Sequence, residues 1–200
     1  MEGEPKLGEP SLHPAPSDED IIQRIARGDR DAMATLMARR GGEFRGWFLR
    51  YLGDPELADE LVVDLFVRVW RAADRFDRSR ASLRTWMYRI ASNLAATAST
   101  RRTRRRSRER LVRGFPAGPE EGAPRDAEAG LIARDREAVV RRAIDGLPAN
   151  IRAVVILRHY QDLPFADIAK VLGIPTGTAK SRMHRALSIL RRKLTPLAIQ

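Results

Sequence analysis

Residues 165–190 read FADIAKVLGIPTGTAKSRMHRALSIL, and their pattern points to one kind of helical unit. Ile168, Ala169 and Leu172 recur at helical spacing, and Gly173 closes that short run. A longer run follows from about Thr176 to Lys193, with Ala179, Met183, Ala186, Leu187 and Leu190 expected on its core side. Thr178, Lys180, Ser181, Arg182, His184, Arg185 and Ser188 fall on the other side. A short apolar-faced helix, a glycine at a sharp turn and a longer helix with a mixed polar face form a helix-turn-helix. Hydroxyl and cationic side chains near the start of the second helix suit the major groove. There they can donate to guanine edges and phosphate oxygens while the helix dipole favours the backbone. A solvated cationic face on an ordinary helical bundle has the same local pattern, so this stretch needs support from the rest of the chain.

Toward the N-terminus, Ile132, Val139, Val140, Ala143 and Ile144 share a predicted helical face that stops at Gly146-Leu147-Pro148. A further helix is expected from about Asn150 to His159. Residues 114–130 hold Pro116, Gly118, Pro119, Gly122 and Pro124 among acidic side chains, which is the composition of a flexible linker. A first module therefore precedes it, over residues 18–113, and a second follows over residues 131–200.

In the first module Ser17 or Asp18 can cap a helix carrying Ile21, Ile22 and Ile25. A second helix is expected through Ala32 and Leu36 to Leu52, with Gly41-Gly42 as a bend or weak point. Over residues 56–76, Leu61, Val62, Leu65, Phe66, Val69, Trp70 and Ala73 form a predicted core stripe, with Asp59, Glu60, Asp64, Arg68 and Arg71 outside it. A polar loop precedes another amphipathic helix built on Leu83, Trp86, Met87, Ile90, Ala91, Leu94 and Ala95. That helix runs into Arg101, Arg102, Arg104, Arg105, Arg106, Arg108, Arg110 and Arg113, a density of like charge that favours contact with a polyanion. No segment alternates as a half-buried strand does, so the predicted fold class is all-α, with two small helical domains. Residues 1–17, rich in proline and glutamate, are expected to form a disordered tail.

A formal net charge of +11 on 200 residues makes nucleic acid the expected partner. No apolar run approaches the ~18–20 residues of a spanning helix, so no membrane insertion and a cytoplasmic location are expected. With no cysteine, and with His13, His159 and His184 far apart, neither a metal site nor a cofactor is expected. Carboxylate pairs such as Asp59 with Glu60 lack a nucleophile, a phosphate loop or a metal cluster beside them, so the chain is not expected to be an enzyme.

Two stretches carry a resemblance. Residues 157–194, LRHYQDLPFADIAKVLGIPTGTAKSRMHRALSILRRKL, resemble domain four of extracytoplasmic-function (ECF) sigma factors of the sigma-70 family. Residues 52–77 and 82–106, LGDPELADELVVDLFVRVWRAADRFD and SLRTWMYRIASNLAATASTRRTRRR, resemble domain two of the same group. The resemblance implies that the first module captures unstacked bases of the promoter's minus-ten element. The matching loop is Asp77, Arg78, Ser79, Arg80, Ala81 and Ser82, and Arg84, Arg89, Asn93, Thr97 and Arg101 follow along the helix. It implies that Thr178, Lys180, Ser181, Arg182, His184 and Arg185 read the duplex minus-thirty-five element. It places docking to the clamp helices of core RNA polymerase on Asp59, Glu60, Val63, Asp64 and Arg68, adds the polymerase flap as a contact, and makes an anti-sigma factor an expected partner. Two positions depart from the family: Val63 stands where glutamine is usual, and Thr97 where many relatives are acidic. Trp86 and Trp70 are expected in the core rather than against DNA.

An autonomous helix-turn-helix regulator that binds operator DNA as a dimer is the rival reading, and it leaves the first module unexplained. A sigma-like interaction protein without promoter activity is a third, resting on Val63 and Thr97 alone.

Overall fold

The computed structural model describes residues 16–113 and 133–195, with side chains described outside 105–113 and 133–137. The expected tail up to residue 15, the 114–130 linker, Ile132 and the arginine side chains from Arg105 to Arg113 lie outside the described residues. Among those described there is no strand, and no helix is long and apolar enough to cross a membrane.

Helix ends follow local chemistry. α1 (Asp18–Ala26) starts at a capping box in which Ser17 accepts from the Asp20 amide and Asp20 reaches back to Ser17. Asp29 caps α2 (Arg30–Leu52), and Asp54 caps α3 (Pro55–Ala72) with a proline in its first turn. Gly53, at φ +64°, ends α2 in the left-handed region and lets α3 fold back as an antiparallel hairpin. A 3-10 turn (Ala73–Arg75) leads through the loop to α4 (Leu83–Arg113). α5 (Ala133–Asp145), α6 (Ala149–His159), α7 (Phe165–Leu172) and α8 (Thr176–Leu194) complete the chain, with Gly173 left-handed between the last two. The helix-turn-helix is thus formed as predicted.

Other expectations change. α2 runs unbroken through Gly41 and Gly42, because Phe44, Trp47 and Phe48 on one side of them and Met33 and Leu36 on the other are buried in one core. Trp70 is 36% exposed and Leu187 49%. At ~100° per residue, each sits on the shoulder of its helix rather than at the centre of the apolar stripe. Val140 is likewise exposed.

Fully buried Phe44, Trp47, Phe48 and Tyr88 centre the first module, with Trp47 stacked on Tyr51 at 5.4 Å. A smaller apolar cluster joins Ile144, Leu147, Ile151, Val155 and Ala186. The main core does not stop at the module boundary. It continues from the α1–α4 side chains into Val154, Ile156, Leu157, Leu163, Ile168 and Val171. α7 lies against α4 and α6 against α2.

Candidate nucleic-acid interface

The loop before α4 is shaped by its own acid. The Asp77 carboxylate accepts from the backbone amide and the hydroxyl of Ser79, and these bonds hold its carboxyl below the usual carboxylate range. Arg78, Ser79 and Arg80 stay exposed around that turn. Ser82 acts on the helix instead, since its hydroxyl accepts from the Thr85 amide and meets the Thr85 hydroxyl, closing the first turn of α4. The loop side chains open to a ligand are therefore Arg78, Ser79 and Arg80, with Asp77 and Ser82 holding the frame.

From the loop a groove runs along α4. Arg75, Arg80, Trp86, Arg89 and Asn93 line it, and Lys170 of α7 closes one side. Trp86 is half-buried, edge-on to Phe76 at 5.5 Å, so part of it packs while part remains on the groove. Cations beside an aromatic ring are the groups that hold a nucleic-acid strand, through phosphate charge and base faces. Farther along, Thr97 is exposed and donates its hydroxyl proton to Asn93 O, which leaves only acceptor capacity toward a ligand. Arg101 and Arg104 are exposed, whereas Arg102 turns inward, donating to Leu52 O and pairing with Asp54 at 3.4 Å.

Arg84 is the exception among the residues expected to face DNA. Its Nε donates to Glu43 at 2.6 Å and its Nη1 to the Gln161 carbonyl at 2.8 Å. The Tyr88 hydroxyl sits 2.8 Å from the same Glu43 oxygen and 2.7 Å from the Gln161 side chain. Burial pushes the Glu43 carboxyl up, but the Arg84 and Tyr88 hydrogen bonds, the Arg84 charge and Arg40 outweigh it and hold the carboxyl below its usual range. Burial and the Glu43 charge push the Tyr88 phenol up, so it stays protonated. Charge-assisted bonds of this kind fix Arg84 firmly. Nothing in the local sequence signals this, because Glu43 and Gln161 lie 41 and 77 residues from Arg84.

The second face is on α8. Lys180, Ser181, His184 and Arg185 are exposed in a row, while Thr178 and Arg182 are half-buried at its edge. Pro175 precedes the helix without a side-chain cap, so the first-turn amides of α8 are open to a phosphate oxygen. α7 supports α8 from behind through Ile168, Val171 and Ala179.

A third surface lies on α3. Glu60, Asp64 and Arg68 are exposed and make no ion pair among the described residues, whereas Asp59 is held by Arg45. Val63 is 60% exposed, and Val67 and Trp70 continue the same face at helical spacing. Val67 and Trp70 were missed in the sequence because both fit the apolar periodicity; only their angular position on α3 separates them from Phe66 and Val69. An apolar strip edged by acids is a surface for a protein partner rather than for DNA.

Comparison with known proteins matches this division. The family Sigma-70 region 2 matches residues 36–106, and Sigma-70, region 4 matches residues 137–190. The RNA polymerase sigma-H factor of Pseudomonas aeruginosa is 31% identical over 185 residues, covering 90% of this chain and 95% of that protein. The ECF RNA polymerase sigma-E factor of Haemophilus influenzae is 28% identical, covering 90% and 97%. Two solved structures share the fold. CnrH in complex with the cytosolic domain of CnrY has a TM-score of 0.63 at 24% identity, over 90% of this chain and 97% of the other. RpoE of Bartonella quintana, in complex with the anti-sigma factor NepR, has a TM-score of 0.60 at 23% identity, over 81% and 96%.

Proposed function

This chain belongs to the ECF group of the sigma-70 family of RNA polymerase sigma factors, and from that membership we propose how its surfaces divide the work. As such a factor it binds core RNA polymerase and directs promoter-specific initiation, reading minus-ten and minus-thirty-five elements. Arg78, Ser79, Arg80, Arg89, Asn93, Thr97 and Arg101, with Trp86 beside them, take the minus-ten strand. Lys180, Ser181, His184 and Arg185, flanked by Thr178 and Arg182, read the minus-thirty-five duplex. Glu60, Val63 and Asp64 dock on the polymerase clamp helices together with Val67 and Trp70, and Asp59 and Arg68 border them. The chain works as a non-catalytic factor in the cytoplasm and has a cognate anti-sigma factor, as RpoE of Bartonella quintana has in NepR.

One observation carries the reading: two distinct modules in sequence order, with an exposed cationic groove on the first and an exposed helix-turn-helix face on the second. Transcription in vitro with core polymerase and a promoter library tests it. Specific starts that need both elements are expected, and Arg185→Ala lowers use of promoters that depend on the upstream element by about tenfold, a loss of ~1–3 kcal/mol at one base contact. Stable operator binding by the free protein with no polymerase-dependent initiation would overturn it.

A further inference from the structure

The packing of the second module on the first assigns the chain an intramolecular clasp, and we propose that this clasp and the minus-ten strand compete for the same face of the protein. The proposal rests on the promoter reading above. Its core is the shared use of Arg84, which lies in line with Arg89 and Asn93 on α4 but is held by Glu43 and by the Gln161 carbonyl of the second module. Gln161 is 6% exposed and closes over the fully buried Tyr88. On the other side of α4, Lys170 Nζ donates to the Arg80 carbonyl at 2.9 Å and so bridges α7 to the strand-capturing loop. A strand entering the groove between Arg80 and Asn93 meets Lys170 as a wall.

The clasp is not merely polar. The apolar core continues across the boundary, and the Arg152 and Arg50 guanidinium groups sit over the Tyr51 and Tyr160 rings, 5.5 Å and 4.6 Å from their centroids. A hydrophobic interface of this sort persists in water unless something offsets its loss. Reading two elements at once demands that loss. About 25 base pairs separate minus-ten from minus-thirty-five, roughly 85 Å at ~3.4 Å per pair, whereas here α7 lies against α4. Closed and promoter-bound forms therefore exclude one another, and polymerase docking is the event that separates them.

The chain has no cysteine, so two introduced cysteines can be spin-labelled cleanly. With Ala38→Cys on α2 and Ser188→Cys on α8, the free full-length chain is expected to give one short, narrow distance, which lengthens when core polymerase is added. Gln161→Ala and Lys170→Ala should each populate the long distance without polymerase. Both should also bind a fluorescent pool of random single-stranded DNA of about 12 nucleotides at least threefold more tightly. Loss of the Lys170 charge alone would weaken DNA binding, so a gain isolates the clasp. Lys170 is exposed and its replacement leaves the fold intact, which keeps the test decisive should Gln161→Ala unfold. A long, broad distance in the free chain, or opening without a gain in affinity, would overturn the clasp. A chain that is closed when free but never initiates with polymerase overturns the promoter reading instead.

Discussion

Glu43 shows how much one side chain can decide. It follows two glycines that look, in the sequence, like a break in a helix, yet its carboxylate is the shared acceptor of Arg84, Tyr88 and Arg40. Periodicity cannot announce such a role, since the partners from α4 become neighbours only on folding. Because the folded pKa of Glu43 is depressed, its contribution is fully present above the ordinary glutamate range. That contribution is lost as pH falls through the lower folded value. Urea unfolding of the native chain and of Glu43→Gln should therefore differ by about 1–3 kcal/mol near neutral pH and converge below about pH 4. Parallel curves across that range would remove Glu43 from its place as the charged hub. By contrast, the capping roles of Ser17, Asp29 and Asp54 are legible from the sequence, because a cap acts on amides two or three residues away.

At the scale of the element, α3 and α8 show where apolar patterning reaches its limit. Pattern reading places the core stripe of α3 correctly through Leu61, Leu65, Phe66 and Val69, all buried, and extends it one residue too far to Trp70. On α8 the same overreach takes in Leu187, while Ala179 and Ala186 are buried as expected. An apolar residue on the shoulder of a helix has the spacing of a core residue, and only the neighbouring helices determine whether it is covered. For α3 the uncovered shoulder and the acids beside it make the proposed docking face. Trp70→Ala should cost less than about 1 kcal/mol in urea unfolding yet weaken binding to core polymerase, followed by fluorescence anisotropy, by about tenfold or more. Leu65→Ala, deep in the same helix, should cost about 2–5 kcal/mol in stability. Equal stability losses in the two variants would mean that Trp70 belongs to the core.

For the whole molecule, the chain carries two cationic reading faces that the structure brings together rather than apart. Removing half of residues 114–130 should leave the urea midpoint within the error of the native chain while narrowing the range of element spacings used in transcription, because the tether sets the reach of one module from the other. A spacing preference unchanged by that deletion would show that reach is set elsewhere. The sequence by itself determined the all-α class, the helix-turn-helix, most helix ends and the cationic character of the loop and of α8. Those features rest on local caps, turns and periodicity, and on charge that is the same in any conformation. Only the tertiary structure decided that Arg84 is tied to Glu43 and Gln161, that Trp70 and Val67 face solvent, and that the core runs through both modules. Each of these depends on which surfaces meet across dozens of residues of chain, and burial is a property of the meeting rather than of either segment.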